Sequence, residues 1–380
     1  MIPFNRPTQT GSEQAFVTEA LNQNLLSGNG TFTQRCEQWF EASFAHTQSR
    51  ALLTSSCTHA LEMAAILLDI KEGDEVIMPS FTFPSTANAF VLRGARIVFV
   101  DIEPSTMNMC IDAASEAITA KTKAIVAVHY AGVACDMAAL MALANQHNIV
   151  VVEDAAQGML ASFNGKPLGT MGHIGAYSFH ATKNFTSGGE GGLLIVNEPQ
   201  LQQRAYWLRE SGTNRRDFMQ GKVDKYSWVD KGSSYLVSEL NAAYLWGNLQ
   251  HAETISQQRL ALWELYFKKL SPLMALGKFE LPTVPAGCQH NGHIFYIKLN
   301  NPQERQALQE HLAAHHIETA THYVPLHSSQ AGQRYGHFHG EDRYTTQESQ
   351  RLLRLPLFYG LAVEQVERVC AILEQNFATE

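Results

Sequence analysis

From Ala51 to Val196 the chain keeps returning to one pattern, a short run of apolar and β-branched residues followed by a stretch at helical spacing. Ala51–Thr54, Glu75–Pro79, Ala95–Ile102, Lys123–Tyr130, Ile149–Val152 and Gly175–His180 are such runs. Apolar residues in unbroken succession predict a strand covered on both faces, as in a parallel sheet. Strands alternating with helices favour one architecture, an α/β fold with a mostly parallel sheet and helices on both faces. Gly191–Val196 comes soon after the turn that carries Lys183, so it is the expected antiparallel member.

Open α/β sheets hold ligands at the carboxyl ends of their strands, and two reactive side chains fall there. Ile149–Val152 runs into Glu153-Asp154, and Gly175–His180 runs into Ala181-Thr182-Lys183-Asn184, just before the glycine cluster Gly188–Gly192. A lysine held on such a turn suits covalent attachment to the aldehyde of pyridoxal phosphate. A carboxylate suits the pyridine nitrogen of the same cofactor, because a protonated ring can accept the electrons released when a proton leaves a substrate carbon. Lys183 and Asp154 are therefore the candidate catalytic pair. Ser178 could offer a hydroxyl to the cofactor phosphate from the same turn, and Gln157 could bond the ring hydroxyl. Taken singly, Asp154 is better read as the cap of a helix starting at Ala155, and Lys183 as a solvated loop residue. The ordered set is what points to the cofactor.

Elsewhere the residues leave more than one reading. Ala51–Thr54 passes into hydroxyl residues and a helix from about His59 to Asp69, whose free N–H groups suit a phosphate; Ser56 and Thr58 are equally at home there as plain caps. Gly212–Gly232 is polar and aromatic, with Arg215, Arg216, Lys222, Lys225 and Trp228. It is either a solvated loop or a surface for an anionic nucleotide-sugar, with Arg215 and Lys225 as contacts. Residues 1–30 read as an arm able to reach a partner, then a helix closed by Ser27-Gly28-Asn29-Gly30. A long helix from about Ser238 through Leu270, with a break near Ala252, divides a large domain (1–250) from a small C-terminal α/β domain (251–380).

Acidic residues number 36 against 28 basic ones, and the net charge of −8 disfavours nonspecific binding to nucleic acid or anionic membranes. Six cysteines are scattered without a CxxC pair, which favours reduced thiols. His311, His315 and His316 fit a solvated helix end, and His337 and His339 a polar Gly-rich loop, so no metal site is expected. The first residues lack a signal-peptide pattern and no apolar stretch approaches membrane-spanning length. A cytoplasmic protein is expected.

Glu153-Asp154-Ala155-Ala156-Gln157 followed by Ser178-Phe179-His180-Ala181-Thr182-Lys183 resembles the DegT/DnrJ/EryC1/StrS family of pyridoxal-phosphate sugar aminotransferases, and the similarity runs from Ile2 to the last helix. The resemblance implies a fold-type-I aminotransferase with a seven-stranded-type sheet. It also implies glutamate as amino donor, a nucleotide-linked keto-deoxy sugar as acceptor, and a homodimer with shared active sites. It places Ser56, Cys57 and Thr58 in the cofactor-phosphate turn, with Cys57 where glycine is more usual, and Phe83 as the aromatic stacked on the cofactor. Ser234 falls where an asparagine reaches the partner's cofactor phosphate, and Tyr323 and His327 fall beside the sugar nucleotide. Gly73–Ser80 is shared with members that make dTDP-4-amino-4,6-dideoxygalactose for enterobacterial surface polysaccharide, so dTDP-4-keto-6-deoxyglucose is the expected substrate. The gluco epimer and a 3-keto sugar stay open. Members that remove a sugar hydroxyl carry histidine at the lysine position, so Lys183 speaks against that branch. The intact Asp154, Gln157, Ser178 and Lys183 speak against a noncatalytic relative.

Overall fold

The computed structural model describes residues 1–44 and 47–378. Strands β1 (Arg50–Thr54), β2 (Glu75–Pro79), β3 (Arg96–Val100), β4 (Thr122–Val128), β5 (Val150–Asp154), β6 (Ile174–Ser178) and β7 (Gly192–Val196) follow in chain order. They are joined later by β8 (Phe295–Lys298), β9 (Gly336–Phe338) and β10 (Leu352–Leu355). The main sheet has the order β1-β7-β6-β5-β4-β2-β3-β9. Its pairings are parallel except those of β7, which runs antiparallel to both β1 and β6; the Phe179–Gly191 connection before it carries no crossover helix.

Both faces of this sheet are buried, and successive residues go to opposite sides as the strand period of two demands. Leu52, Val76, Met78, Ile97, Phe99, Val126 and Val152 face one core with the helices Cys57–Leu67 and Pro84–Val91. Ile77, Val98, Val100, Ile125, Ala127 and Val151 face the opposite side with the helix Met137–His147. Ala51, Leu53, Tyr177, Leu193 and Ile195 pack there with the helices Thr31–Ser43 and Glu239–Leu249. A strand flanked in this way has no face left for polar residues, which explains the unbroken apolar runs.

The eighth strand differs from expectation. Gly336–Phe338, inside the segment read as a polar loop, pairs in parallel with Ile97–Phe99 and covers what would be an open edge. Gly336 permits the approach, since a β-carbon there would lie 2.6 Å from the Ile97 carbonyl oxygen.

The predicted long helix is two, Glu239–Leu249 and Ala252–Ala275, with the break at Gln250-His251. Beyond it, β8 and β10 pair antiparallel. They bury Phe295, Ile297, Leu353 and Leu355 against Leu262, Tyr266 and Leu270 of the second helix and Val366, Val369 and Leu373 of the helix Val363–Ala378. Ile2 joins this core and makes a parallel bridge with Ile317. The start of the N-terminal arm thus packs against the C-terminal part of its own chain. Phe4 N–H donates to Glu318 at 3.0 Å and the Thr8 hydroxyl to the Asn184 carbonyl at 2.8 Å, which draws the arm toward the end of the main sheet.

Candidate active site

β5 ends at Asp154 and β6 at Ser178, and the two are parallel neighbours with Asp154 opposite Ala176. Residues leaving their carboxyl ends therefore meet. After β6 the chain turns through His180–Lys183, closed by the Lys183 N–H on the His180 carbonyl at 2.9 Å and the Ala181 N–H on the Gly189 carbonyl at 2.8 Å. Gly188 has φ of 79°, a left-handed conformation that suits glycine and lets this turn close before β7. On the other side of β7 the helix Cys57–Leu67 begins. Ser56 caps it, its hydroxyl accepting the His59 N–H at 3.1 Å, and the N–H groups of the first turn otherwise have no intrahelical partner. Gly192 allows the close seat of this helix start on β7, because a β-carbon would lie 2.3 Å from the Cys57 nitrogen.

These elements open onto one cavity of about 720 Å³. Ser56, Cys57, Thr58 and Ser178 line it from the helix start and the end of β6, together with Asp154, Gln157, Lys183, Phe83 and Tyr323. Asp154 is held from two directions. Its Oδ2 accepts the Thr86 hydroxyl at 2.6 Å and its Oδ1 the Ala156 N–H at 3.1 Å. Gln157 accepts the Ala131 N–H at 2.6 Å and donates to the Tyr323 hydroxyl at 3.0 Å, so its amide plane is fixed. Burial pulls the Lys183 pKa below the ordinary lysine range, and Arg354 adds to that pull while Cys57 and Asp154 oppose it. Burial and the neighbouring Asp154 push the Cys57 thiol well up, which leaves it a neutral thiol rather than a nucleophile.

The donor set fits pyridoxal phosphate. A fixed carboxylate, a lysine amine eased toward its neutral form and a helix start with free N–H groups share one cavity of adequate size. A model of the DegT/DnrJ/EryC1/StrS aminotransferase family matches residues 7–374. The chain belongs to that family.

The aminotransferase is 31% identical over 378 residues to a GDP-perosamine synthase of Escherichia coli O157:H7, covering 99% of each chain. Among solved structures it resembles the aminotransferase TlmJ from Streptoalloteichus hindustanus, with TM-score 0.90 and 29% identity over 100% of this chain and 99% of that one. It also resembles DesV of S. venezuelae, with TM-score 0.87 and 30% identity over 96% of this chain and 94% of that one. It is a pyridoxal-phosphate-dependent sugar aminotransferase, a transferase of amino groups.

Four residues expected at the site do not line this cavity. His327 is tied up within the fold: its Nδ1 meets the Ser80 hydroxyl at 2.7 Å and its Nε2 lies 3.2 Å from Asp342. This Ser–His–Asp row has no nucleophilic role, because Ser80 is 0% exposed and also accepts the His327 N–H. Arg215 pairs with Glu210 at 3.6 Å on the outside of the molecule. Lys225 is exposed in the following turn, and Ser234 is exposed beside Glu210. None of these three touches the cavity of its own chain.

Other lining residues of the aminotransferase were not anticipated. Phe4 and Asn5 of the arm form part of the wall, as do His293, His322 and Arg354. The Asn184 amide donates to the Asn291 carbonyl at 3.1 Å, which turns its oxygen toward His293 Nδ1 at 2.7 Å. His293 therefore carries its proton on Nδ1, and burial with nearby Lys183 and Arg259 keeps it neutral. His322 stacks on Tyr323 with ring centroids 3.8 Å apart and bonds the Tyr130 hydroxyl at 2.8 Å. Only Arg354 left a trace in the sequence, a charge inside the apolar run Leu352–Leu355. Among the described residues, no group of three or more His, Cys, Asp or Glu side chains could hold a metal ion, and no helix is long and apolar enough to cross a membrane.

Proposed function

We propose that the enzyme moves an amino group from glutamate to dTDP-4-keto-6-deoxyglucose and releases dTDP-4-amino-4,6-dideoxygalactose for surface polysaccharide. The observation that carries the reading is the convergence of Lys183, Asp154 and the Ser56–Thr58 helix start on one cavity. Bound there, pyridoxal phosphate supplies an electron-accepting ring for the carbon that carries the amine. Asp154 holds the ring nitrogen protonated through a charge-assisted hydrogen bond. Ser178 and the first-turn N–H groups would hold the phosphate, and Gln157 would be the residue to bond the ring hydroxyl. The Lys183 Nζ binds the cofactor at rest and, once displaced by the amino donor, carries a proton away from the donor's α-carbon. Its depressed pKa favours the neutral amine that this role needs.

The sugar assignment is supported by the Gly73–Ser80 segment, whose likeness is to enzymes of dTDP-linked 4-amino sugars. The GDP-perosamine synthase relative favours a second reading, a GDP-linked keto sugar. Incubating the enzyme and glutamate with each nucleotide sugar, followed by proton NMR of the product, tests both. Galacto geometry gives a small coupling between the C3 and C4 protons; a large coupling indicates the gluco epimer, and turnover of the GDP sugar alone would replace the dTDP assignment.

We further propose a cytoplasmic homodimer with shared sites, built on a large unit (1–250) and a small one (251–380). Support comes from Arg215, Lys225 and Ser234, which miss their own cavity, and from Trp228, which is 81% exposed on the same segment. A large aromatic left in water on a basic loop suits a partner's cavity mouth. Mixing Lys183→Ala with an Arg215→Ala/Lys225→Ala double variant should restore activity, since the mixed dimer holds one intact site. Absence of any recovery under subunit exchange would refute shared sites.

A further inference from the structure

His293 comes just before β8 and lines the cavity that holds Lys183. Its loop is pinned on two sides. The Asn291 amide donates to the Gln157 and Met159 carbonyls, both at 2.8 Å, and the Asn291 side-chain oxygen accepts the His293 N–H at 3.1 Å. Across from it, Asn184, the residue after Lys183, accepts the His293 Nδ1 proton at 2.7 Å. The Asn184 amide cannot turn over, because its NH2 group faces the Asn291 carbonyl at 3.1 Å. The ring is therefore fixed with its proton on Nδ1 and a lone pair on Nε2. Nε2 has no partner among the described residues and is not a sealed atom, so it opens to the cavity.

The other imidazoles of the wall offer no such atom. His129 accepts the Cys135 N–H on Nδ1 at 3.1 Å and meets Glu153 through Nε2 at 2.9 Å. His180 accepts the Thr182 N–H on Nδ1 at 3.2 Å, which leaves its Nε2 proton facing Glu190 at 3.6 Å. His322 accepts the Tyr130 hydroxyl on Nδ1 at 2.8 Å, since burial pushes that phenol well up and keeps it a donor, and its Nε2 carries the hydrogen. Asp154 is engaged with Thr86 and the Ala156 N–H, and Glu190 is exposed. Apart from Lys183, His293 Nε2 is thus the one neutral nitrogen base with a free lone pair among the described residues of the wall.

Amino transfer needs two kinds of proton movement. One runs between the substrate carbon and the Lys183 amine. The other involves water, because release of the keto acid consumes one water and formation of the bond from nitrogen to the keto sugar sets one free. We infer that His293 is the catalytic base of the water step, separate from Lys183. This rests on the aminotransferase reading. As the water oxygen bonds to the donor's α-carbon and the carbon–nitrogen bond breaks, both water protons end on the nitrogen, passed one at a time through Nε2, and the oxygen becomes the keto oxygen of the acid. The same transfers in reverse carry the sugar's keto oxygen away as water. Asn184 is the positioning residue, its oxygen holding the Nδ1 proton and steadying the charge that the ring takes on.

The test separates carbon exchange from water addition. In cofactor-loaded His293→Gln, glutamate deuterated at its α-carbon should still lose the label to solvent at the wild-type rate, a task of Lys183. Release of 2-oxoglutarate should slow by at least ~100-fold, the usual worth of a positioned acid–base group. Asn184→Ala keeps the ring but unlocks its proton, and it should slow release less while exchange again persists; it carries the comparison if His293→Gln does not fold. Nitrogen-15 NMR of the cofactor-free wild-type enzyme gives a readout without turnover: at neutral pH His293 should show a protonated Nδ1 and an unprotonated Nε2. Exchange and release lost together would reduce His293 to support for Lys183 or the cofactor and overturn the inference. Unchanged release in both variants, or a protonated Nε2, would overturn it as well. A wild-type enzyme that neither exchanges nor releases with glutamate would count against the proposed donor, whereas the NMR reading would still decide the state of Nε2.

Discussion

Thr86→Val removes one hydroxyl and keeps the β-branched shape, so it isolates the hydrogen bond that orients Asp154. Thr86 is 0% exposed and its hydroxyl lies 2.6 Å from the carboxylate, with Thr82 2.8 Å behind it. Water has little access to take over the vacated position. A hydrogen bond to a charged group contributes about 1.5–3 kcal/mol, and a buried acceptor left alone loses its partner outright. Because about 1.4 kcal/mol is a factor of ten, the variant should hold pyridoxal phosphate, or turn over glutamate, about 10- to 100-fold less well. Thr86→Ser keeps the hydroxyl and should behave like wild type. The assay is cofactor affinity by equilibrium dialysis, with the glutamate half-reaction followed by absorbance on the loaded fraction. Wild-type affinity and rate in Thr86→Val, or a Thr86→Ser variant as poor as Thr86→Val, would refute the reasoning that Asp154 depends on this contact.

Lys183→Met should make the cofactor-free protein more stable at neutral pH, since burial depresses the lysine pKa in the folded state. With the folded value below the unfolded one, the unfolded chain binds more protons in the window between them, so wild-type stability rises with pH there. The gain from Lys183→Met should accordingly be largest below the folded pKa and vanish above the unfolded one, as urea titrations across that window would show. Arg259 is buried with its guanidinium on the Gly292, His293 and Leu357 carbonyls at 3.2, 2.8 and 3.3 Å, and it holds the loop that carries His293. Arg259→Met strands those acceptors and should lower unfolding stability by at least ~3 kcal/mol, read from the urea midpoint. An unchanged midpoint would contradict the account of that loop.

How much of this was legible in the sequence depends on whether a residue's role is local. Asp154 and Lys183 were found because each ends a recognisable strand, and adjacent parallel strands must bring their ends together. The antiparallel β7 was legible because it follows the lysine turn with no helical stretch between. β9 was hidden because three residues carry no period, and Gly336 reads as a loop until Ile97 is beside it. His327 misled for the complementary reason: the segment around it does reach the cavity through Tyr323, but the chain then enters a 3₁₀ turn over Leu326–Ser328, in which His327 meets Ser80 and Asp342 instead. Thr86, His293 and the cavity contacts of Phe4 and Asn5 act across the fold, and nothing in their own neighbourhoods marks them. Arg354 did leave a signal, since a charge within an apolar strand needs a partner or a ligand.

The central claim is that Lys183 is the cofactor-bearing residue in a site completed by Asp154. Borohydride reduction of the cofactor-loaded enzyme followed by peptide mapping tests it most directly. The account predicts a reduced pyridoxyl label on Lys183, in the peptide that contains Phe179 to Phe185, and no label on that peptide in Lys183→Ala. A label on any other lysine of the wild-type enzyme would contradict the assignment and every role derived from it.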